Sequence, residues 1–409
     1  MAHYMSRIAA FNRLKHHCRI VNKVERKQTM YIWQSQQWPH FSYQQALIQP
    51  RLEQVQALQH QLTGKANDLP ADLDRQAEMD ALIQNAIQTS EIEGEKLNVG
   101  SVRSSVARQL GLDQAGMPHV NFANSTRQTE SLVAMLCDAT TDLEQSIHQQ
   151  RLCEMQAALF PEPPLSRHIN VGELRADAPM QVVSQQGRRE VVHFEAPPRQ
   201  QLEQELAAFI DWFNKSALEA NVLRAAIAHL WLITLHPFDD GNGRVARALT
   251  DRALAQAEDT SVRFYSLSAA IEANRNDYYN ILENTQSLKT ASQAKSETDI
   301  TDWLMWFLEV LSQAMQQGIH RIDRVVAKAR FWQIHSQTVL TERQVKVLNR
   351  LLDSTGEEFT AGINASKYKS LADVSKATAT RDLAELVNKA CLKQLPGGGR
   401  STRYAIATV

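Results

Sequence analysis

Residues 223–235 are nearly all apolar, and they lead directly into the polar stretch HPFDDGNGRVAR at residues 236–247. A helix that is apolar on nearly every side is buried in a core. The polar stretch holds an imidazole, two carboxylates, two glycines, an amide and two guanidiniums. A plain polar connection between helices is the alternative, but it does not explain arginines that follow a glycine turn. The two segments therefore predict a helical fold whose buried helix ends at a chemical site.

The composition limits the class of protein. The chain has 409 residues, of which 43% are hydrophobic and 22% are charged, and its formal net charge is −1. This length predicts two or three domains, and the charge gives the whole molecule no general attraction to nucleic acid or acidic lipid. No apolar run reaches the length of a membrane span. The four cysteines form no CxxC pair, which favours free thiols. We therefore expect a cytoplasmic protein with no membrane partner.

Apolar residues recur every three or four positions over most of the chain, which is the period of an amphipathic helix. The predicted helices cover residues 43–63, 73–93, 99–111, 123–160, 200–235, 245–257, 269–285 and 302–333. Two β-rich runs flank Gly187 and predict a β-hairpin over residues 181–194. Near the start, Trp33, Trp38 and Phe41 form a short strand or dock on the core, and docking is the favoured prediction. The predicted fold class is therefore mainly α.

The end of the chain differs in charge from the rest. Residues 360–409 carry eight Lys or Arg and three Asp or Glu. Thr341 and Ser375 each fit the cap of a predicted helix, and two strands around a glycine-rich loop follow, an order that predicts a winged helix. The candidate DNA contacts are Lys376, Thr378, Arg381, Arg400 and Arg403. A protein-docking module and a merely solvated cationic face remain the alternatives to a DNA partner.

The polar stretch after the buried helix suits the binding of phosphate. Gly241 and Gly243 allow a sharp turn and expose N–H groups at the start of a helix, and such a start binds anions. Arg244 and Arg247 lie three positions apart on one helical face, so both guanidiniums can bind phosphate oxygens. Asp240 offers a carboxylate to a hard cation such as Mg²⁺, which bridges phosphates.

His236 and Asn242 complete this chemistry. An imidazole has an ordinary pKa of about 6.5, so His236 can take a proton from a hydroxyl near neutral pH. The amide of Asn242 can orient the phosphate that the hydroxyl attacks. These residues therefore predict transfer of a phosphate-linked group from a metal–nucleotide complex to a hydroxyl.

The stretch resembles the signature of the Fic family, HxFx(D/E)GNGRxxR, and matches it at every specified position. The resemblance implies a helical domain with a β-hairpin flap. It also implies transfer of AMP from ATP, with Mg²⁺, to a Ser, Thr or Tyr hydroxyl of a target protein and of the enzyme itself. It covers residues 30–409, because the aromatic N-terminal segment and the winged helix also fit. The predicted domains are a basic tail over 1–29, an N-terminal helical domain over 30–120, the Fic domain over 121–290, a linker helix over 291–335 and the winged helix over 336–409.

The resemblance also implies roles for single residues of the stretch. His236 would be the general base, and Phe238 would hold the loop from the inside. Asp240 would bind Mg²⁺, and Arg247 would bind the γ-phosphate. The residues that would hold the α- and β-phosphates are Gly241, Asn242, Gly243 and Arg244.

Two further segments resemble parts of the family's nucleotide site. The hairpin lies where the flap is expected, so a target segment would pair with it through backbone hydrogen bonds. The flap residues expected nearest the nucleotide are Val191, Val192 and His193. The stretch NRNDYYNILENTQ resembles the helix beside the adenine, and its candidates are Tyr278, Tyr279 and Gln286. For the two tyrosines, packing in the core is the alternative.

The stretch TSEIEG ends a predicted helix at residues 89–94. Solvated glutamates are common at such positions, and that is the alternative reading. The stretch also resembles the inhibitory motif of Fic proteins, (S/T)xxxE(G/N), which Thr89, Glu93 and Gly94 fill. The resemblance implies that Glu93 pairs with Arg247 and so occupies the guanidinium meant for the γ-phosphate.

Three functions therefore stay open. The preferred one is a self-inhibited protein adenylyltransferase. The second is a DNA-binding regulator that uses the pocket to sense a nucleotide. The third is a transferase of another group, such as UMP, phosphocholine or phosphate. The target protein, a homodimeric state, the trigger that relieves inhibition and removal of AMP are not decided by the sequence.

Overall fold

The computed structural model of the chain describes residues 30–111, 125–162, 169–186, 189–215, 222–260, 264–288, 297–354, 362–397 and 402–407. Within these residues the fold is mainly helical, as predicted. The predicted basic tail, residues 1–29, lies outside the described residues. No helix in the described ranges is long and apolar enough to cross a lipid bilayer.

The helices and strands of the described ranges are numbered in chain order. The helices are α1 Gln45–Asn67, α2 Ala71–Ile92, α3 Val99–Gln109, α4 Arg127–Ala139, α5 Gln149–Ala158, α6 Arg199–Lys215, α7 Val222–Leu235, α8 Asn242–Glu258, α9 Leu267–Ala273, α10 Arg275–Gln286, α11 Thr301–Ile334, α12 Glu342–Leu352, α13 Ala365–Ala372 and α14 Lys376–Asn388. The strands are β1 Met30–Tyr31, β2 Gln181–Gln186, β3 Arg189–Glu195, β4 Ser287–Leu288, β5 Leu392–Gln394 and β6 Tyr404–Ile406. They pair antiparallel as β1 with β4, β2 with β3 and β5 with β6.

The chain divides into two compact units. Of the described residues, the first contains those within 30–67 and 78–319, and the second contains those within 68–77 and 320–407. Helix α11 supplies residues to both units, since it runs through the division at residue 320. The domain boundaries expected from the sequence remain a prediction.

The core of the first unit is built around α7. Every residue of this helix except the partly buried Ile227 is buried, as its apolar sequence predicts, and α8 is its main packing partner. The rings of Trp38 and Phe41 meet the edge of Trp231 on α7, with ring centroids 5.9 and 5.7 Å away. The indole of Trp33 donates to Glu195 O at 2.7 Å. The prediction that the aromatic N-terminal segment docks on the core is confirmed.

The predicted helix over residues 123–160 was wrong in one respect, because it is two helices, α4 and α5, with a loop between them. The guanidinium of the buried Arg252 on α8 binds the carbonyl groups of that loop. Its acceptors are Ala139 O, Thr141 O, Asp142 O, Leu143 O and Gln145 O. A helix would use these carbonyls itself, so the long-range side chain stabilises the break. The predicted helix over 269–285 is likewise divided at Asn274 into α9 and α10.

Replacing Arg252 with Met is expected to destabilise the first unit by about 3 kcal/mol or more. The change removes a charged donor from five buried or half-buried carbonyls, and unsatisfied polar groups are costly. Urea unfolding followed by tryptophan fluorescence measures the loss. Arg108→Met is the matched control, because Arg108 bonds to Ser125 Oγ and Glu130 Oε1 at the exposed surface, and its midpoint should hardly move. Equal midpoints for the two variants would refute the role of Arg252.

The predicted hairpin is confirmed as strands β2 and β3. Their register runs from Gln181 opposite Glu195 to Gln186 opposite Arg189, with a shift between Val182 and Val183. The tip at residues 187–188 lies outside the described residues. The inner end of the hairpin packs through Met180, Phe194 and Ala196.

The second unit contains α12, α13, α14 and the β5–β6 pair in that order. Thr341 forms the predicted capping box with Gln344, and Ser375 caps α14 through the Thr378 amide. Its core is a cluster of apolar side chains from all three helices and the strand β5. The fully buried members of this cluster are Val347, Leu348, Ile363, Tyr368, Ala379, Leu386 and Cys391. The order of elements is the predicted one, and the identity of the unit as a winged helix remains a prediction.

Candidate active site

The polar stretch forms a tight turn between α7 and α8. His236 has φ 49° and Gly241 has φ 89°, so both lie in the left-handed region. A Cβ at Gly241 would lie 2.7 Å from Leu159 Cδ1, so both conformation and space require glycine there. Helix α8 then begins at Asn242, three residues before the predicted start at residue 245. The turn brings the end of α7 and the amino end of α8 to one place.

The side chain of Asn242 bonds the backbone of this turn through both of its polar atoms. Its Oδ1 accepts from Phe238 N at 2.9 Å, and its Nδ2 donates to Phe238 O at 2.7 Å. Phe238 itself is fully buried, as the resemblance implied. Both polar atoms of the Asn242 amide are thus used on the backbone of the loop, and its role in orienting a phosphate stays a prediction. The Asn242 N–H still stands in the first turn of α8.

His236 has the tautomer that a base requires. Its Nδ1 lies 3.0 Å from Ile233 O, and a carbonyl oxygen can only accept, so Nδ1 carries the proton in the neutral ring. The lone pair of the imidazole is then on Nε2. The residue is 9% exposed, so the ring is held in place by its surroundings.

Arg247 is buried and binds the end of α2. Its Nε donates to Thr89 Oγ1 at 2.8 Å, and its Nη2 donates to Thr89 O at 2.9 Å and Glu93 Oε1 at 2.8 Å. Burial would lower the pKa of Arg247, but the Glu93 carboxylate outweighs this and raises it. The predicted contact between Glu93 and Arg247 is present. Gly94, with φ 83°, follows the helix as the predicted stop.

A second ion pair was not predicted. Arg244 Nη1 donates to Glu95 Oε2 at 2.8 Å, so two carboxylates after α2 bind two of the arginines of α8, Arg244 and Arg247. A Cβ at Gly243 would collide with Glu93 Oε1 and lie 3.0 Å from Arg247 Nη1. The Glu93 carboxylate therefore fills the space over the glycine. The acidic run EIEGE was the only sequence signal for Glu95.

Two buried N–H groups of this site are unsatisfied. Among the described residues, Arg244 Nε and Arg247 Nη1 have no hydrogen-bond partner. Buried charged donors without acceptors are costly, and an anion with several oxygens would satisfy them. Asp240 is about half exposed, and its Oδ1 accepts from Gly241 N at 2.6 Å. No group of three or more metal-ligating side chains occurs within the described ranges. A single carboxylate suits Mg²⁺ that takes its other ligands from phosphates and water.

The flap residue His193 is bonded on both ring nitrogens. Nε2 lies 2.6 Å from Ser184 Oγ on β2, and Nδ1 lies 2.9 Å from Glu283 Oε2 on α10. The side chain thus connects the hairpin to α10, and neither of its two partners was predicted from the sequence. Val192 is 37% exposed on β3, and Val191 is partly buried.

The candidates on α10 are mostly core residues. Tyr278 is 2% exposed, and its hydroxyl lies 2.9 Å from His229 Nε2. Gln286 is 4% exposed, and its Nε2 donates to Thr234 Oγ1 at 3.0 Å. The burial of both side chains favours packing in the core, and an adenine contact by either stays a prediction. Tyr279 is partly buried, and its hydroxyl donates to Ile92 O at 3.2 Å, next to Glu93.

A chain of hydrogen bonds connects the buried side chains of Thr250, His229 and Tyr278. The Thr250 hydroxyl donates to Ala246 O at 2.6 Å, so its oxygen accepts from His229 Nδ1 at 2.9 Å. His229 Nε2 then accepts from the Tyr278 hydroxyl. Burial, with a smaller effect of Arg247, lowers the pKa of His229 to about 3. His229 is therefore neutral in the folded protein.

The depressed pKa of His229 predicts a loss of stability in acid. Below its ordinary pKa of 6.5 the unfolded chain binds a proton at His229 and the folded chain does not, until pH reaches about 3. At pH 4.5 this costs about 2–3 kcal/mol. Unfolding of the wild type and of His229→Gln should therefore be compared at pH 7 and pH 4.5. The free energy of unfolding of His229→Gln should change less with pH than that of the wild type, whereas that of the exposed control His60→Gln should change as much as the wild type's. Equal slopes for all three proteins would contradict the prediction.

The candidate DNA contacts lie in the second unit. Lys376 and Arg381 are exposed on α14, and Thr378 is partly buried beside its cap Ser375. Arg403 Nη1 donates to Gly362 O at 3.2 Å, so this side chain also supports the fold. Arg400 lies outside the described residues.

A comparison with protein families assigns the segment that carries this site. Residues 145–254 match the model described as the Fic/DOC family. These residues are thus similar to the Fic/DOC family. Residues 31–112, which include α2 and Glu93, match a model described as a domain of unknown function, DUF4172. The Fic/DOC match contains the hairpin, the buried helix α7 and the whole polar stretch.

Similar proteins match the chain over short stretches. It is 52% identical over 54 residues to protein adenylyltransferase fic-1 of Caenorhabditis briggsae, covering 13% of this chain and 10% of that protein. It is 42% identical over 65 residues to a uridine 5′-monophosphate transferase of Xanthomonas campestris pv. campestris, covering 14% and 12%. The chain thus spans about a tenth of the length of these relatives. A solved Fic family protein from Desulfovibrio desulfuricans has a TM-score of 0.47 at 16% identity, over 88% of this chain and 97% of that one.

Proposed function

We propose that this protein transfers AMP from Mg²⁺–ATP to a Ser, Thr or Tyr hydroxyl of a target protein and of itself. The observation that carries the proposal is the pair of buried, unsatisfied N–H groups of Arg244 and Arg247, on the helix that follows the turn of His236. They offer charged donors to a polyphosphate at the start of a helix. The names of the matching relatives, which include protein adenylyltransferases, support the same chemistry.

The proposed reaction needs a general base and a set of hydrogen-bond donors that binds the phosphates. His236 Nε2 takes the proton of the target hydroxyl, whose oxygen attacks the α-phosphorus while pyrophosphate leaves. The N–H groups at the start of α8 and the Arg244 guanidinium hold the α- and β-phosphates. Arg247 takes the γ-phosphate once Glu93 releases it. When bound at Asp240, Mg²⁺ supplies charge neutralisation for the phosphates.

Glu93 holds the protein in an inhibited state in this proposal. Its carboxylate lies over Gly243 and binds Arg247 Nη2 at 2.8 Å, so it competes with the phosphate for one guanidinium. The contact is buried on the arginine side, where 2% of the side chain is exposed. Low exposure weakens solvent screening and strengthens the competition.

The flap offers a place for the target. Val192 is exposed on β3, and an extended target segment would add to the hairpin through backbone hydrogen bonds. Such pairing reads few side chains, so the proposed partner class is a protein with an extended, hydroxyl-bearing segment.

One relative transfers UMP by its name, so the nucleotide needs its own test. Glu93→Gly protein should be incubated with labelled ATP, GTP, UTP and CDP-choline under the same conditions. We expect label from ATP to dominate. Dominant transfer from UTP or CDP-choline would replace the proposal with a transferase of another group. A nucleotide that binds without cleavage would favour a sensor.

The second unit favours a DNA-binding role as a second function. The exposed cations Lys376 and Arg381 lie five positions apart on α14, the helix that would be the recognition helix of a winged helix. We expect the protein to retard duplex DNA at low salt, with a steep loss of binding as salt is added. The double variant Lys376→Ala/Arg381→Ala should bind more weakly, and the exposed control Arg127→Ala should not. No retardation at low salt would refute this function.

A further inference from the structure

Arg175 is a buried arginine that the proposed reaction has not used. It belongs to the GELR segment ahead of the flap, and 1% of it is exposed. Its Nε donates to His236 O at 2.9 Å, and its Nη2 donates to Pro197 O at 2.5 Å. Its backbone N–H donates to Pro237 O at 2.9 Å. The side chain of Arg175 thus binds the carbonyl of His236, the proposed base, and its backbone binds the carbonyl of Pro237.

The backbone of His236 needs such support. Its φ of 49° lies in the left-handed region, which a residue with a Cβ adopts only when its surroundings impose it. The last carbonyls of a helix also have no partner within the helix. Arg175 supplies donors to the two carbonyls that follow α7, those of His236 and Pro237. The orientation of the imidazole depends on this backbone, since the ring is attached to the left-handed residue.

The same guanidinium reaches the flap. Pro197 follows the end of β3 at Glu195, so Arg175 joins the exit of the hairpin to the backbone of His236. The Arg175 carbonyl in turn accepts from Arg199 Nε at 2.8 Å at the start of α6. The Arg175 guanidinium therefore links the backbone of His236, the proposed base, to the end of β3, the strand on which the target would dock.

We propose that Arg175 is a positioning residue that holds His236 in its left-handed conformation and registers the base with the flap. This inference rests on the proposed transfer reaction. Two diverging N–H groups of one guanidinium are required, and the single ammonium of lysine cannot reproduce their planar geometry. Arg175 touches neither nucleotide nor hydroxyl in this account, so it acts through His236.

The test compares Arg175→Met and Arg175→Lys with Arg224→Met, all in the Glu93→Gly background. Arg224 is a matched control because it is also buried and donates to a backbone carbonyl, Phe213 O, away from the polar stretch. Self-labelling at saturating Mg²⁺–ATP gives kcat, and its ATP dependence gives KM. We expect both Arg175 variants to lose about 10²-fold in kcat, as a misplaced base does, with KM for ATP nearly unchanged. The control should keep kcat.

A readout independent of activity separates this inference from the transfer reaction. The ¹⁵N shifts of the His236 ring report which nitrogen carries the proton, and the Arg175 variants should lose the wild-type pattern. If the parent transfers nothing, the proposed function fails and the ring shifts alone decide. A folded Arg175→Met with unchanged kcat, or with wild-type ring shifts where no transfer occurs, overturns the positioning role. Failure of both Arg175 variants to fold overturns it as well, since the arginine would then serve stability alone.

Discussion

Replacing His236 with Ala in a Glu93→Gly background is expected to reduce self-labelling from ATP by about 10²- to 10⁴-fold, which is what a general base contributes. The Nδ1 proton is fixed by Ile233 O, so Nε2 is the nitrogen able to accept a proton from the target hydroxyl. Alanine removes that acceptor and leaves Arg244, Arg247 and the glycine turn in place. Incorporation of label from α-labelled ATP measures the loss.

Binding of ATP separates the base from a merely structural histidine. His236→Ala should bind a fluorescent ATP analogue about as well as its parent, because the phosphate donors remain. The exposed control His60→Ala should keep both binding and labelling. Intact labelling in His236→Ala would remove the base assignment, and loss of binding would show that the histidine mainly shapes the loop.

Glu93→Gly is expected to raise self-labelling over the wild type by about tenfold or more. The wild-type carboxylate occupies Arg247 Nη2 and the space over Gly243, so the end of a triphosphate has to displace it. If the Glu93–Arg247 contact favours the inhibited state by about 1.4 kcal/mol, the fraction of protein whose Arg247 is open to the γ-phosphate falls about tenfold. The measurement is the initial rate of labelling at a fixed concentration of ATP.

The control for this prediction is Glu91→Gly. It places the same glycine in the last turn of α2 and keeps the partner of Arg247, so it accounts for the cost of glycine in a helix. Its labelling should stay at the wild-type rate. Equal labelling by the wild type and Glu93→Gly would show that the ion pair does not inhibit.

The sequence predicted those features whose signals are local. The caps at Thr341 and Ser375, the hairpin around residues 181–195 and the buried helix α7 each follow from neighbouring residues. The pairing of Glu93 with Arg247 followed from a motif carried over by resemblance. Periodicity along the chain is sufficient for such elements because their cause lies within a few positions.

The features that the sequence missed depend on contacts far along the chain. Arg252 breaks a predicted helix by binding carbonyls more than a hundred positions away, which no local pattern contains. For Tyr278 the sequence left core packing and an adenine contact open, and the bond of its hydroxyl to His229, on another helix, was not predicted. The amide of Asn242 matched a phosphate role by type, and its bonds to the backbone of Phe238 were not predicted. Residue types therefore predicted where the site lies better than they predicted which contacts each side chain makes.

The central claim is that the start of α8 presents a metal-bound ATP to the base His236. Intact mass spectrometry of Glu93→Gly after incubation with Mg²⁺–ATP tests it most directly. The account predicts a species heavier by one AMP group, absent from Glu93→Gly/His236→Ala. An unmodified mass in Glu93→Gly, or the same AMP adduct in the double variant, would contradict it.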